Sequence, residues 1–388
     1  MTVGGFIWKN GTRNKRRTIL TALSVALTLF VLIPLVTFIN ELDRRLEETN
    51  SSRVVTRHAV IWIFPIPERY RMQIEKVPGV VADTPLTYYG GVYIDRANTD
   101  FAQYSCDPKT LFDVFPELKI PDDQKQAFMR EQTAVVVGRS KAEKHGWKVG
   151  DRVNLKGAVI PVDLELTVRG IFEGTPNEES NIYFHHAYLN EAVQAQMGIA
   201  GGLGEVSTYW IRADSPDSVP RISQTIDEIF ANTDKPTRTE TEKSFQMSFI
   251  SLLGNIKLLI AIIGGLILFT ILLVTANTMA MSVRERIREV AVLKSLGFRR
   301  RWVLGLLMAE GVMITLGGGL LGTLAAHLVF RSIDVAAYSQ GSIQRLDVTW
   351  GIIALGLLIS SFVGIISTGL PAYRATRLTV ADGLRNVG

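Results

Sequence analysis

Residues 258–279 read LLIAIIGGLILFTILLVTANTM, and residues 280–301 continue AMSVRERIREVAVLKSLGFRRR. The first string stays apolar for about 22 residues, enough for a helix rising about 1.5 Å per residue to cross about 30 Å of hydrocarbon. The second is short and strongly basic. A lipid-compatible run that passes into a cationic loop gives both a membrane span and the side on which it ends.

Three further blocks share that character, at residues 18–39, 303–330 and 350–370. The first is too long for a cleaved signal peptide, and Pro34 and Phe38 stand where small cleavage-site residues would be needed. Basic flanks recur on alternate ends. Lys9, Arg13, Lys15, Arg16 and Arg17 precede the first block; Arg284, Arg286, Arg288, Lys294, Arg299, Arg300 and Arg301 join the second to the third; Arg374, Arg377 and Arg385 follow the fourth. On the opposite ends Glu41, Asp43, Glu47 and Glu48 outnumber Arg44 and Arg45, and the last loop offers Arg331 and Arg345. The flanks agree on one topology, with both termini in the cytoplasm of a cell inner membrane.

The expected fold class is an α-helical membrane protein with four transmembrane helices plus a large α+β extracytoplasmic domain inserted between helices 1 and 2. Its parts are a cytoplasmic N-terminus (1–17), helix 1 (18–39), an external α+β domain (40–257) and helix 2 (258–279). A cytoplasmic loop (280–302), helix 3 (303–330), a short external loop (331–349), helix 4 (350–370) and a cytoplasmic tail (371–388) follow.

Composition fits this division. The 388 residues are 47% hydrophobic and 20% charged, and the formal charge of +5 gathers beside the spans, where orientation explains it. No basic stripe with interleaved aromatics appears in the middle region, which argues against nucleic acid as a partner. The single cysteine, Cys106, allows no intrachain disulfide and no thiolate metal cluster.

In the outer region, β-prone runs at 60–64, 87–94, 133–137, 162–172 and 208–211 predict strands, while 67–76, 140–145 and 219–230 predict helices. The polar, more helical stretch 107–130 predicts a second lobe. Catalytic patterns are missing. His185 and His186 are adjacent and lack the i, i+4 spacing of a helical metal pair, Glu178 and Glu179 fall in a turn that predicts solvation, and no serine occupies a G-x-S-x-G elbow. A binding or contact module is expected here, with no metal and no catalytic residue.

The loop offers more. Ser282 and Glu285 form a capping-box pattern, or else the preceding span continues through them as helix. Val283, Ile287, Val290 and Ala291 share one face, with Arg284, Arg286, Arg288 and Glu289 largely off it, and Gly297 ends the helix. The apolar stripe predicts docking into a partner's groove, the alternative being a positive-inside loop with a helical extension. No G-x-x-x-x-G-K-[ST] occurs in the chain, so any nucleotide chemistry resides in another subunit. In the third span, Gly318 and Gly322 form a small-xxx-small pair, open to two readings: packing within one bundle or a dimer seam. Glu310, roughly 13 Å along the helix from Arg301, is an intramembrane polar group, either a structural contact or part of an interface.

With these residues the chain resembles the MacB/FtsX-type permeases of ABC transporters, the type VII or mechanotransmission group. Residues 284–297 are similar to that family's ERTREIGIRKALG signature, and Glu310-Gly311 stands where its third span often has Glu-Ala. Residues 371–385 resemble PAxRAARLDPVEALR, with Asp382 and Gly383 replacing the usual Glu-Ala. Residues 77–80, 135–138, 147–153 and 168–171 match recurring features of its periplasmic core.

The resemblance implies a permease that dimerises, with an identical or a different protomer, and docks a separate ABC ATPase holding the ATP and Mg. In this chain it implies no cofactor. It puts Arg284, Glu285, Arg288, Glu289, Gly297 and Arg301 at or near the ATPase, and makes 41–51 and 241–255 stalks that carry movement outward. It further implies membrane lipid and a periplasmic membrane-fusion adaptor as neighbours. Efflux or extrusion of periplasmic or membrane-derived cargo is the expected function, with FtsX-like signalling to cell-wall hydrolases as the alternative.

Overall fold

A computed structural model of the chain describes residues 14–47, 49–94, 99–252, 255–333, 335 and 346–379. Lys9, Arg13, Glu48, Arg345, Asp382, Gly383 and Arg385 lie outside these. Two compact units result, one built from residues 1–41, 255–333 and 346–388, the other from 42–254 and 334–345.

Among the described residues, four helices are long and apolar enough to cross a membrane: Lys15–Glu47, Ile256–Glu285, Arg300–Ser332 and Trp350–Arg377. Each is longer than the apolar run that announces it, because helical hydrogen bonding continues past the hydrocarbon into polar ends. The fourth, for instance, continues through Pro371 to Arg377. The second continues through Ser282 to Glu285, so of the two readings of that stretch the helix prevails over the cap.

Small residues draw these helices together where lipid offers no hydrophobic force between them. A Cβ on Gly311 would lie 2.0 Å from Thr368 Oγ1, one on Gly319 2.4 Å from Ser360 Oγ, and one on Gly364 2.3 Å from Thr315 Oγ1. The third and fourth helices thus interlock along stripes of four-residue spacing. Gly318 and Gly322 lie on the neighbouring face of the third helix, their Cβ positions 2.4 Å from the Ala22 carbonyl oxygen and 2.3 Å from that of Ala26. This pair therefore receives the first spanning helix of its own chain. Thr315 and Thr323 satisfy their hydroxyls on the carbonyls of Gly311 and Gly319 one turn back.

The outer unit, an α/β extracellular domain between the first and second spanning helices, holds one ten-stranded sheet among its described residues. Its strands are β1 (Arg53–His58), β2 (Ile66–Pro67), β3 (Val80–Tyr88), β4 (Gly91–Val92), β5 (Ala102–Cys106), β6 (Ala134–Gly138), β7 (Arg152–Gly157), β8 (Leu164–Phe172), β9 (Asn181–His185), β10 (Glu205–Val206), β11 (Thr208–Ala213) and β12 (Thr237–Thr241). The order is β12-β1-β11-β3-β5-β9-β6-β8-β7-β4, with β2 and β10 paired apart. β5–β9 and β6–β8 run parallel and the other neighbours antiparallel. Helix Val219–Phe230 buries Val219, Ile222, Ile226 and Phe230, an i, i+3, i+4 stripe as its sequence predicts.

The structure corrects three expectations in this unit. Residues 60–64 form an exposed turn after β1 rather than a strand. Residues 107–130 make no second lobe: helices Leu111–Val114 and Asp122–Arg130 pack Phe112 and Phe128 onto the same sheet, beside Val136 and Phe172. Glu178 is half-buried rather than solvated; it accepts from Thr175 N at 2.9 Å, and burial, helped by the neighbouring Glu117, pushes its carboxyl up to about 8. Cys106 is fully buried in β5, and burial pushes its thiol well up.

His185 closes β9 and His186 opens helix His186–Met197, so the two rings diverge. His185 Nε2 donates to the Phe128 carbonyl at 2.6 Å, while His186 Nδ1 meets Ser105 Oγ at 2.9 Å. Burial lowers both imidazoles, keeping them neutral core groups. No cluster of three or more potential metal ligands occurs among the described residues.

Candidate docking site

The loop between the second and third spanning helices is shaped by two breaks. At Arg286 the backbone leaves helical geometry (φ −108°, ψ 10°), ending the second spanning helix and starting the loop helix Ile287–Ser295. At Gly297 φ is +88°, and the chain reverses with Gly297 N donating to the Lys294 carbonyl and Phe298 N to the Leu293 carbonyl, each at 3.1 Å. This pair of bonds satisfies carbonyls that a helix end leaves open, and the left-handed residue that it needs is most easily glycine. Arg299 then caps the third spanning helix.

The apolar stripe of the loop does not face outward. Val283 and Val290 are buried against Val303 and Leu307 of the third helix and Ala372 and Ala375 of the fourth, with Leu293 beside them. The stripe expected to enter a partner's groove is covered by its own chain, because the third and fourth helices extend beyond their apolar cores and offer it a surface.

Cations then fasten the loop to each of the other spanning helices. Arg17 of the first helix donates from Nη1 to Glu285 Oε2 at 2.6 Å and from Nη2 to Ser282 Oγ at 2.8 Å. Arg286 pairs with Glu310 of the third helix, the two side chains 10% and 9% exposed. Lys294 Nζ donates to the carbonyls of Thr376 at 3.2 Å and Leu378 at 2.5 Å, at the C-terminal end of the fourth helix where carbonyls lack partners. Glu310 is therefore buried in an ion pair with the residue at the break of the loop.

The outward face carries Arg284, Arg288 and Arg301, all exposed, together with Val292, Leu296 and Phe298 around the Gly297 turn. Glu285 and Glu289 turn elsewhere, into a cleft of about 530 Å³ that they line with Asn14, Lys15, Arg16, Arg17 and Arg286. The six loop positions singled out by sequence thus divide: three arginines and Gly297 shape the outward face, and two glutamates face the first helix. Arg17, Arg286 and Lys294 were read from sequence as orienting charges only, and Ser282 as a cap rather than a partner of Arg17. For Arg286 a signal existed, since it lies two residues from both Arg284 and Arg288, about 200° around a helix and so on the opposite face.

An apolar knob ringed by cations on a rigidly held helix can receive a protein partner with an acidic, partly apolar groove. It offers no chemistry of its own.

Residues 261–380 match the FtsX-like permease C-terminal, and residues 18–229 match the MacB-like periplasmic core domain. An uncharacterized ABC transporter permease of Methanocaldococcus jannaschii is 21% identical over 396 residues, covering 98% of this chain and 96% of that protein. The uncharacterized ABC transporter permease YvrN of Bacillus subtilis is 34% identical over 143 residues, 37% of this chain and 32% of YvrN. The macrolide export ATP-binding/permease protein MacB of a Shewanella species is 34% identical over 158 residues, 41% of this chain and 21% of MacB. The match therefore spans nearly all of the first relative, about a third of the second and about a fifth of the third.

Proposed function

Because the chain belongs to the ABC transporter permeases with an FtsX-like permease C-terminal and a MacB-like periplasmic core domain, we propose that it is the membrane subunit of an ATP-driven efflux or extrusion system. In this reading a separate ABC ATPase, holding the ATP and Mg, docks on the loop between the second and third spanning helices. The loop and both termini are cytoplasmic, the membrane is the inner one, and a second protomer completes a dimer. Segments 41–51 and 241–255 carry the movement to the outer domain, which works on periplasmic or membrane-derived cargo with a membrane-fusion adaptor.

The observation that supports docking most directly is the division of the loop helix into two faces. Its inner face is consumed by Val290, Arg286 and Lys294 contacts with the chain itself, while Arg288 and Leu296 remain exposed on a helix that cannot swing freely. A pre-ordered surface loses little conformational freedom on binding, which favours its use as a contact.

Charge reversal tests it. R284E/R288E, in which both altered side chains point to solvent, is expected to fold normally and to lower the affinity for the cognate ABC ATPase by about tenfold or more at low salt. Copurification and ATP hydrolysis in liposomes give the readout. Full ATPase binding and coupling in the double variant sinks the docking assignment.

A further inference from the structure

The three clasps on the loop differ in how they are sealed. Arg286 and Glu310 are both buried, and Lys294 ends on backbone carbonyls. Arg17 is mostly covered, yet its partner Glu285 is 48% exposed and opens onto the 530 Å³ cleft. Of the two ion pairs, this is the one that solvent or a docked side chain can reach.

Its geometry is specific. Ser282 and Glu285 are three residues apart and share one face of the last turn of the second spanning helix. One planar guanidinium spans them with separate nitrogens in a fixed fork, whereas a lysine ammonium would have to reach both from a single atom. The grip lies immediately before Arg286, where the backbone leaves helical geometry. Arg17 therefore holds the near side of this break. It does so from the first spanning helix, which runs unbroken from Lys15 to Glu47.

We propose that Arg17 is the positioning residue of the docking loop: gripping Ser282 and Glu285 together, it fixes the turn before the Arg286 break and thereby sets the direction in which Arg288, Leu296 and Phe298 are presented. The proposal rests on the docking reading for its purpose.

The test uses the full chain in lipid nanodiscs with no ATPase present. Spin labels at Leu296 and Ile19, both exposed, report the loop's direction relative to the first helix, and amide hydrogen exchange over residues 290–297 reports its order. R17Q is expected to broaden the distance distribution and to speed exchange about tenfold, the loss of a charge-assisted grip. R17K, which keeps the charge and loses the planar fork, falls between. The exchanged pair R17E/E285R restores both readouts to within about twofold of the parent. An unchanged distance distribution in R17Q shows that Arg17 positions nothing. Failure of the exchanged pair to rescue, with a general fall in unfolding temperature, shows a role in folding only and equally overturns the proposal. Failure of the parent chain to retain any ABC ATPase refutes the docking reading instead, and leaves the two nanodisc readouts to be judged alone.

Discussion

Arg286 and Glu310 meet in a buried ion pair across 24 positions of sequence, Nη1 to Oε2, joining the break after the second spanning helix to the third. Removing one partner leaves the other charge buried and uncompensated, at a cost of about 3–5 kcal/mol. E310A and R286A are each expected to lower the unfolding temperature markedly in detergent. The apolar double variant R286M/E310L should recover most of the loss, because desolvation of both charges is relieved together. A double variant as unstable as the sum of the single ones contradicts a closed pair.

Gly297 tests the backbone alone. A Cβ placed there meets nothing within 4 Å, so any penalty comes from its φ of +88°. G297A is expected to cost about 1 kcal/mol of loop order and G297V more, with G297N tolerated best, since asparagine accepts left-handed geometry. Hydrogen exchange across residues 290–298 gives the order. Equal effects of alanine and asparagine would remove the left-handed turn from the account.

Gly322 separates packing within the chain from packing between copies. A methyl at this position lies 2.3 Å from the Ala26 carbonyl oxygen, which is backbone and cannot rotate away. G322A should therefore destabilise the fold by about 1–3 kcal/mol. The loss should not depend on protein concentration in thermal unfolding. A loss seen only as dissociation of a dimer places the seam between protomers.

The spans were legible because hydrocarbon thickness imposes a length that composition reveals, and the loop's termination was legible because Gly297 is a helix stop with a physical cause. β1 was not. Its residues Arg53 and Arg57 are buried, held by Glu242 at 2.8 Å and Glu240 at 2.7 Å, so a reading based on apolar alternation moved the strand to the exposed residues 60–64. The fate of the loop's apolar stripe was illegible for a related reason. Periodicity gives a face, but only tertiary structure shows that Val303, Leu307 and Ala372 cover it.

Glu178 makes a pH prediction for the outer domain. Its carboxyl, pushed up to about 8 mainly by burial, contributes stability that is fully present below its ordinary value of 4.5 and is lost as pH rises through 8. Asp83, raised to about 6 by burial, acts in the same sense at lower pH. His185 and His186, lowered by burial, act oppositely below 6.5. Between about pH 6.5 and 8 Glu178 is thus the main contributor, and raising pH across that window should cost the outer domain about 1 kcal/mol. E178Q should flatten the slope and be the more stable form at pH 8. Thermal unfolding at both ends of the window decides, and an unchanged slope in E178Q is the contrary result.

The buried thiol of Cys106 is expected to resist maleimide while the protein is folded, which leaves the chain free of a reactive background for a topology test. Val60, 74% exposed in the turn after β1, and Leu296, 70% exposed beside Gly297, offer opposite reporters. With the outer domain outside and the loop inside, V60C should react with a membrane-impermeant maleimide in intact spheroplasts. L296C should react only after the inner membrane is permeabilised. The two positions control for each other, since both are exposed in the folded chain and the proposed topology assigns them to opposite sides. Reversal of the pair inverts the topology and removes the docking face from the compartment where an ATPase could reach it, whereas labelling of both in intact cells indicates a leaky preparation and calls for its replacement before any orientation is assigned.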